Sequence, residues 1–173
     1  MTPIEEAILL AYEIHKDEKY GNKPYISHLQ DVYNLAVRYQ LYEYAQVAAW
    51  LHDSIESNPD MVEKVSTSVS ADALKIILLV TDNQGANRRD RKKGVLARTA
   101  TDSMAVALKL CDLVSNVCRS MEVNDRKKLE MYIKESKDVS DHFMPVVLSS
   151  YDWRLEELMS LYNRFIKTAK DRI

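Results

Sequence analysis

Apolar residues recur along this chain at three- and four-residue spacing, the period of an α-helix with one buried face. Ile4, Ala7, Ile8, Ala11 and Ile14 form the first such stripe. Thr2, Pro3, Glu5 and Glu6 open it with a capping residue, a first-turn proline and an acidic first turn. Lys16–Pro24 is charged and contains Gly21, Asn22 and Pro24, which predicts a loop. Ser27 to about Tyr39, with Leu29, Val32, Leu35 and Ala36, predicts a second amphipathic helix. Tyr44–Ile55 is almost continuously apolar and predicts one central helix.

Asn58-Pro59-Asp60 restarts the chain into a short helix, and Ser70 caps another carrying Leu74, Ile77 and Leu78. Asp82–Asn87, with Gly85, predicts a polar loop before a basic helix from Arg88 to about Arg98. Thr101-Asp102 precedes a second strongly apolar helix, Ser103–Met121, which breaks at Val123–Asp125. Two further helices are predicted, about Arg126–Leu148 and Tyr151–Lys170. Only Val65–Val69 alternates as a strand would, and the segment is short and isolated. With no repeat, linker or low-complexity tract, the pattern predicts an all-α helical bundle forming a single domain over residues 1–173.

Composition narrows this picture. Three Gly and four Pro in 173 residues leave little room for long irregular segments, and 46% hydrophobic against 29% charged residues is a globular balance. A net charge of −2 gives no reason to expect nucleic-acid binding, so any phosphate affinity must come from a local patch. No apolar run has the length of a membrane span. The N-terminus lacks the basic region of a signal peptide. Cys111 and Cys118 lie two helical turns apart, roughly 10 Å, too far for a disulfide. Free thiols suit a reducing compartment, and the cytoplasm is the expected one. Leu155, Leu158, Leu161 and Tyr162 suit either an oligomer interface or closure of the core.

Two helices carry the same anomaly. His52 and Asp53 are embedded in Ala45–Ile55, and Asp112 is flanked by Leu110, Cys111, Leu113 and Val114. A buried carboxylate needs a partner. A lone His or Asp in such a run is ordinarily a hydrogen-bonded core residue, and Asp112 could be paired with a Lys or Arg. An adjacent His-Asp pair, with a second Asp and His28 beside a loop, is harder to explain that way. One divalent metal would neutralise both acids and accept neutral imidazoles. Two His and two Asp suit manganese, iron, cobalt, nickel or zinc. Helical spacing lets His52, Asp53 and Glu56 face one site, while Asp112, Asn116 and Arg119 form a second polar stripe.

The order His28 … His52-Asp53 … Asp112 resembles the ligand signature of the HD-domain superfamily of metal-dependent phosphohydrolases. Pro24-Tyr25-Ile-Ser-His28, His52-Asp-Ser-Ile-Glu56 and Lys109-Leu-Cys-Asp112-Leu-Val-Ser-Asn116 resemble the hydrolase domain of RelA/SpoT-type enzymes. Thr81-Asp82 followed by Arg88–Lys93 is similar to the stand-alone, hydrolase-only Mesh1 type. The resemblance runs from about residue 7 to 119, with helices over about 126–170 beyond it. It implies an HD-domain bundle and a metal, manganese foremost, held by His28, His52, Asp53 and Asp112. It also implies hydrolysis of guanosine 3′,5′-bis(diphosphate), ppGpp, to GDP and pyrophosphate.

In that reading Glu56 acts as general base or orients the water. Lys19, Arg91 and Lys92 bind polyphosphate, with Arg88, Arg89 and Arg119 behind them. Asn116 meets the ribose or nucleoside, and Tyr25 lines the pocket. Three departures stand out: Ser57 where the pattern has Asp after Glu56, Leu113 where Arg is usual, and Lys19-Tyr20 in place of a basic pair. The plain alternatives are that Arg88–Lys93 is a solvated face and Glu56 an exposed helix residue. His15 and His142 read as structural or surface residues. Tyr39, Tyr42 and Tyr44 read as packing at a helix junction. Competing functions are a phosphatase of another nucleotide, of 5′-nucleotidase or NADPH-phosphatase type, and a nucleotide-binding protein with weak turnover.

Overall fold

Helix starts in the computed structural model, which describes residues 1–82 and 87–173, follow the capping chemistry in the sequence. Thr2 and Glu5 form a reciprocal capping box at the start of α1 (Pro3–Ile14). Ser70 caps α6 (Ala71–Val80), and Asn87 caps α7 (Arg88–Thr99). Asp102 accepts from the Met104 and Ala105 amides at the start of α8 (Ser103–Glu122). Asp125 and Asp152 cap α9 (Arg126–Ser150) and α10 (Trp153–Asp171). The rest of the Asp82–Asn87 loop, including Gly85, lies outside the described residues, as does the side chain of Ser57.

Three local expectations change. The Lys16–Pro24 loop contains a small antiparallel hairpin, β1 (Lys19–Tyr20) with β2 (Lys23–Pro24), turned at Gly21 with φ of 65°. Val65–Val69 is not a strand. Residues 62–68 form α5 (Val62–Ser68), whose one buried residue is Val65, so the alternation marks a single helical contact. The central helix does not run through to Ile55. It ends as α3 (Glu43–Leu51), turns through His52 and Asp53, and restarts as α4 (Ser54–Ser57), followed by a 3-10 turn at Pro59–Met61.

The buried apolar residues form one cluster from Ala7 to Ala169. α8 is its axis, packed by α2 (Ile26–Arg38), α3, α9 and α10. Leu155, Leu158 and Tyr162 are fully buried, so the C-terminal helices close the core. Tyr39 is buried, and Tyr42 and Tyr44 stack at 5.7 Å beside Arg154, a helix-junction role. Cys111 and Cys118 are both free thiols. Among the described residues no helix is long and apolar enough to cross a membrane.

Candidate metal centre

Three core helices deliver the site. α2 contributes His28 in its first turn, the α3–α4 break contributes His52 and Asp53, and the middle of α8 contributes Asp112. Their donor atoms converge. His52 Nε2 lies 3.2 Å from Asp53 Oδ2 and 3.7 Å from Asp112 Oδ1. His28 Nε2 lies 3.6 Å from Asp53 Oδ2 and 3.3 Å from Asp112 Oδ1. The donor atoms of His28, His52 and Asp53 all fall within 4.8 Å of one another, and Asp112 joins them through the two imidazoles.

This donor set fits a divalent cation. Ligands about 2.0–2.2 Å from a common ion sit roughly 2.8–3.6 Å apart at neighbouring positions, close to the separations here. The tautomers also suit it. His52 Nδ1 donates to the Ala49 carbonyl oxygen at 2.9 Å, and His28 Nδ1 lies 3.2 Å from Ser115 Oγ, so both Nε2 atoms face the acids. His52 Nε2 is buried and meets both acids without a well-aligned hydrogen bond to either, as suits a metal ligand.

The surroundings divide the work of each carboxylate. Lys109 Nζ donates to Asp112 Oδ2 at 2.9 Å, leaving Oδ1 toward the imidazoles and the Asn116 amide, 2.5 Å away. The Tyr25 hydroxyl donates to Asp53 Oδ2 at 2.7 Å. Tyr25 in turn stacks on the buried His15 ring at 4.8 Å, and His15 Nε2 is 3.5 Å from Ser54 Oγ. His15 is therefore structural, but beneath the site rather than remote from it. His142 lies elsewhere on α9, its Nδ1 2.7 Å from the Asp138 carbonyl oxygen.

Burial by itself would push the His52 imidazole down, but Asp53 and Asp112 override it and hold it up at about 10. The same carboxylates raise His28 against the effect of its burial. Asp53 and Asp112 are held well below the usual carboxylate range: burial opposes this, and the two imidazoles, with Lys109 for Asp112, prevail. Without metal, His52 thus holds a proton near neutral pH. A cation must displace it, so apparent metal affinity should rise with pH, roughly tenfold per pH unit for each proton released, until pH passes the imidazole pKa. Calorimetric Mn2+ titration in buffers of differing ionisation enthalpy should show proton release. Binding with none, and no dependence on pH between 6 and 8, would contradict this electrostatic picture.

Glu56 sits on α4, beyond the ligands. Its carboxylate accepts from the Asp82 amide at 3.3 Å. Partial desolvation, then Asp53 and Asp82, raises its pKa. Lys92 Nζ is 3.2 Å from Asp82 Oδ2, one residue removed from Glu56. The other sequence candidates are dispersed. Lys19 is exposed on the hairpin. Arg119 donates to Glu122 and Asn22 Oδ1, both at 2.9 Å, and Arg91 is half-buried on α7. Arg88 pairs with Glu135 of α9 at 2.9 Å, so the mostly exposed basic run also bridges two helices at the surface. The sequence motifs include Lys109, Ser115 and Tyr20 but assign them no role, and the Lys partner considered for Asp112 is Lys109. Lys109 carried a usable signal: a cation three residues before Asp112 in an otherwise apolar stretch.

No protein-family model and no curated protein matches the chain. A solved structure does: a metazoan orthologue of SpoT described as hydrolysing ppGpp, with a TM-score of 0.76 over 95% of both chains at 21% identity. Over nearly its whole length, then, the chain has the fold of that structure.

Proposed function

We propose that the protein is a metal-dependent phosphohydrolase whose substrate is ppGpp, cleaved to GDP and pyrophosphate. The observation that carries this reading is that the Nε2 atoms of His28 and His52 each lie 3.2–3.7 Å from a carboxylate oxygen of both Asp53 and Asp112, on the fold of a ppGpp hydrolase. His28, His52, Asp53 and Asp112 hold one divalent ion, Mn2+ in this reading. When bound, the ion supplies Lewis-acid activation of a water and of a phosphoryl oxygen.

The chain's own residues supply the rest. Glu56, its pKa raised by partial desolvation and the neighbouring Asp53 and Asp82, accepts a proton from the attacking water. The water oxygen bonds to the phosphorus next to the ribose 3′ oxygen, and that oxygen–phosphorus bond breaks. The 3′ oxygen takes up a proton, and pyrophosphate leaves. Lys109 and Tyr25 fix the two carboxylates, so the ligand geometry is set before substrate arrives. Arg91, Lys92, Lys19 and Arg119 provide positive charge for the polyphosphate, and Asn116 meets the ribose. Lys92 must exchange Asp82 for phosphate to do so. The working compartment is the cytoplasm, in keeping with two free thiols.

Purified protein supplied with Mn2+ and a nucleotide panel tests the reading. Equimolar GDP and pyrophosphate from ppGpp are expected. Inorganic phosphate released from mononucleotides or NADPH, with ppGpp untouched, would replace ppGpp as substrate. Binding without turnover would leave a nucleotide-binding protein. The departure at Ser57 gives a separate prediction. Ser57→Asp restores a second acid beside Glu56 and should raise kcat several-fold; an unchanged kcat makes that position a bystander.

A further inference from the structure

The four ligand side chains are nearly sealed. His28 and His52 are 2% and 1% exposed, and Asp112 and Asp53 are 8% and 17% exposed. Whatever lies over these side chains borders the path of a polyphosphate to an ion held there. The helices bearing the ligands are locked into the core cluster. The β1–β2 hairpin is not. Its ladder has two residue pairs, and Lys19, Gly21, Asn22, Lys23 and Pro24 are all exposed. Such a hairpin has little stability of its own.

Tyr20 is the side chain this hairpin turns inward. Its ring stacks on the His28 imidazole at 4.8 Å and 25° and meets the Tyr25 ring edge-on at 5.9 Å. The Lys128 ammonium of α9 lies 5.5 Å from the same ring centroid. Its hydroxyl donates to Asn116 Oδ1, and the Asn116 amide holds the ligand oxygen of Asp112. One tyrosine therefore covers one ligand and is hydrogen-bonded to the support of another. Among the described residues, the side-chain tie at the hairpin tip is Asn22 Oδ1 accepting from Arg119.

We propose that Tyr20 is a movable roof over the metal centre: its ring closes the site above His28, its hydroxyl latches to Asn116, and the hairpin must swing outward for a phosphate to enter or the ion to leave. Tyr20 is here a positioning residue, acting through His28 and Asn116. The access role rests on the phosphohydrolase reading for the identity of what enters, but its control of the ion does not.

The test follows loss of Mn2+ from loaded protein into excess chromogenic chelator by stopped flow, with no nucleotide present. Tyr20→Ala should release the ion at least tenfold faster than the parent chain. Tyr20→Phe keeps the ring and loses the latch, so it should fall between the two. Thermal unfolding of the metal-free variants provides the control, since an exposed hairpin contributes little to the core. Release from Tyr20→Ala at the parental rate would overturn the proposal and direct attention to the α4 segment as the cover. Faster release in a protein that leaves ppGpp intact would uphold the roof while removing the proposed substrate. Normal ppGpp hydrolysis with unaltered release would do the reverse.

Discussion

His52→Ala is expected to eliminate stoichiometric divalent-metal binding and to lower hydrolysis by about a thousandfold or more, corresponding to about 4 kcal/mol of lost transition-state stabilisation. The size follows from what His52 does. Its Nε2 faces both carboxylates, and its Nδ1 is committed to the Ala49 carbonyl, so no other atom of the residue can take over the ligand role. Asp53→Ala should match it, because Asp53 Oδ2 lies within 3.6 Å of both imidazole nitrogens. The control separating lost metal from lost fold is thermal unfolding with and without Mn2+. An ion that binds only the folded chain raises the parental Tm, and neither variant should show that rise. A His52→Ala protein with parental turnover would mean that the reaction does not run at this cluster.

Lys109→Met should lower the stability of the metal-free protein by about 3–5 kcal/mol, although Met fills similar volume. The Lys109 and Asp112 side chains are 6% and 8% exposed, and the ammonium donates directly to Asp112 Oδ2. Removing it takes away the nearest cation of a buried carboxylate and leaves Asp112 to share the imidazoles with Asp53. Were Lys109 only filling space in α8, the same change would be nearly neutral. Metal provides the second half of the prediction. A divalent ion compensates Asp112 by itself, so saturating Mn2+ should recover a larger increment in the variant than in the parent. Urea unfolding of both proteins, with and without the ion, measures both terms.

The ligands were legible in the sequence for one physical reason: titratable groups inside apolar runs are costly without a partner. His52-Asp53 and Asp112 stand out on that basis alone. Periodicity also located the helices, and Ser70, Asn87 and Asp102 located their starts. The break between α3 and α4 was not legible, because a His-Asp pair inside an apolar run suits a continuing helix as well as a turn. It matters, since the turn at Asp53 (φ −99°, ψ −4°) sets the doublet between two helices rather than along one. The hairpin escaped for the opposite reason: two residues per strand are too few for a period to register. The basic run of α7 reads as one charged stripe, yet Arg88 and Lys92 pair with Glu135 and Asp82. Partners so distant in sequence are set only by the fold.

The central claim is that one ion held by His28, His52, Asp53 and Asp112 runs the hydrolysis. Stripped protein titrated with Mn2+, with bound metal and pyrophosphate release from ppGpp measured on the same samples, tests it most directly. Activity should climb in proportion to bound metal and level off at one ion per chain. Full pyrophosphate release from protein kept metal-free by chelator, or a plateau reached only at two ions per chain, would contradict it.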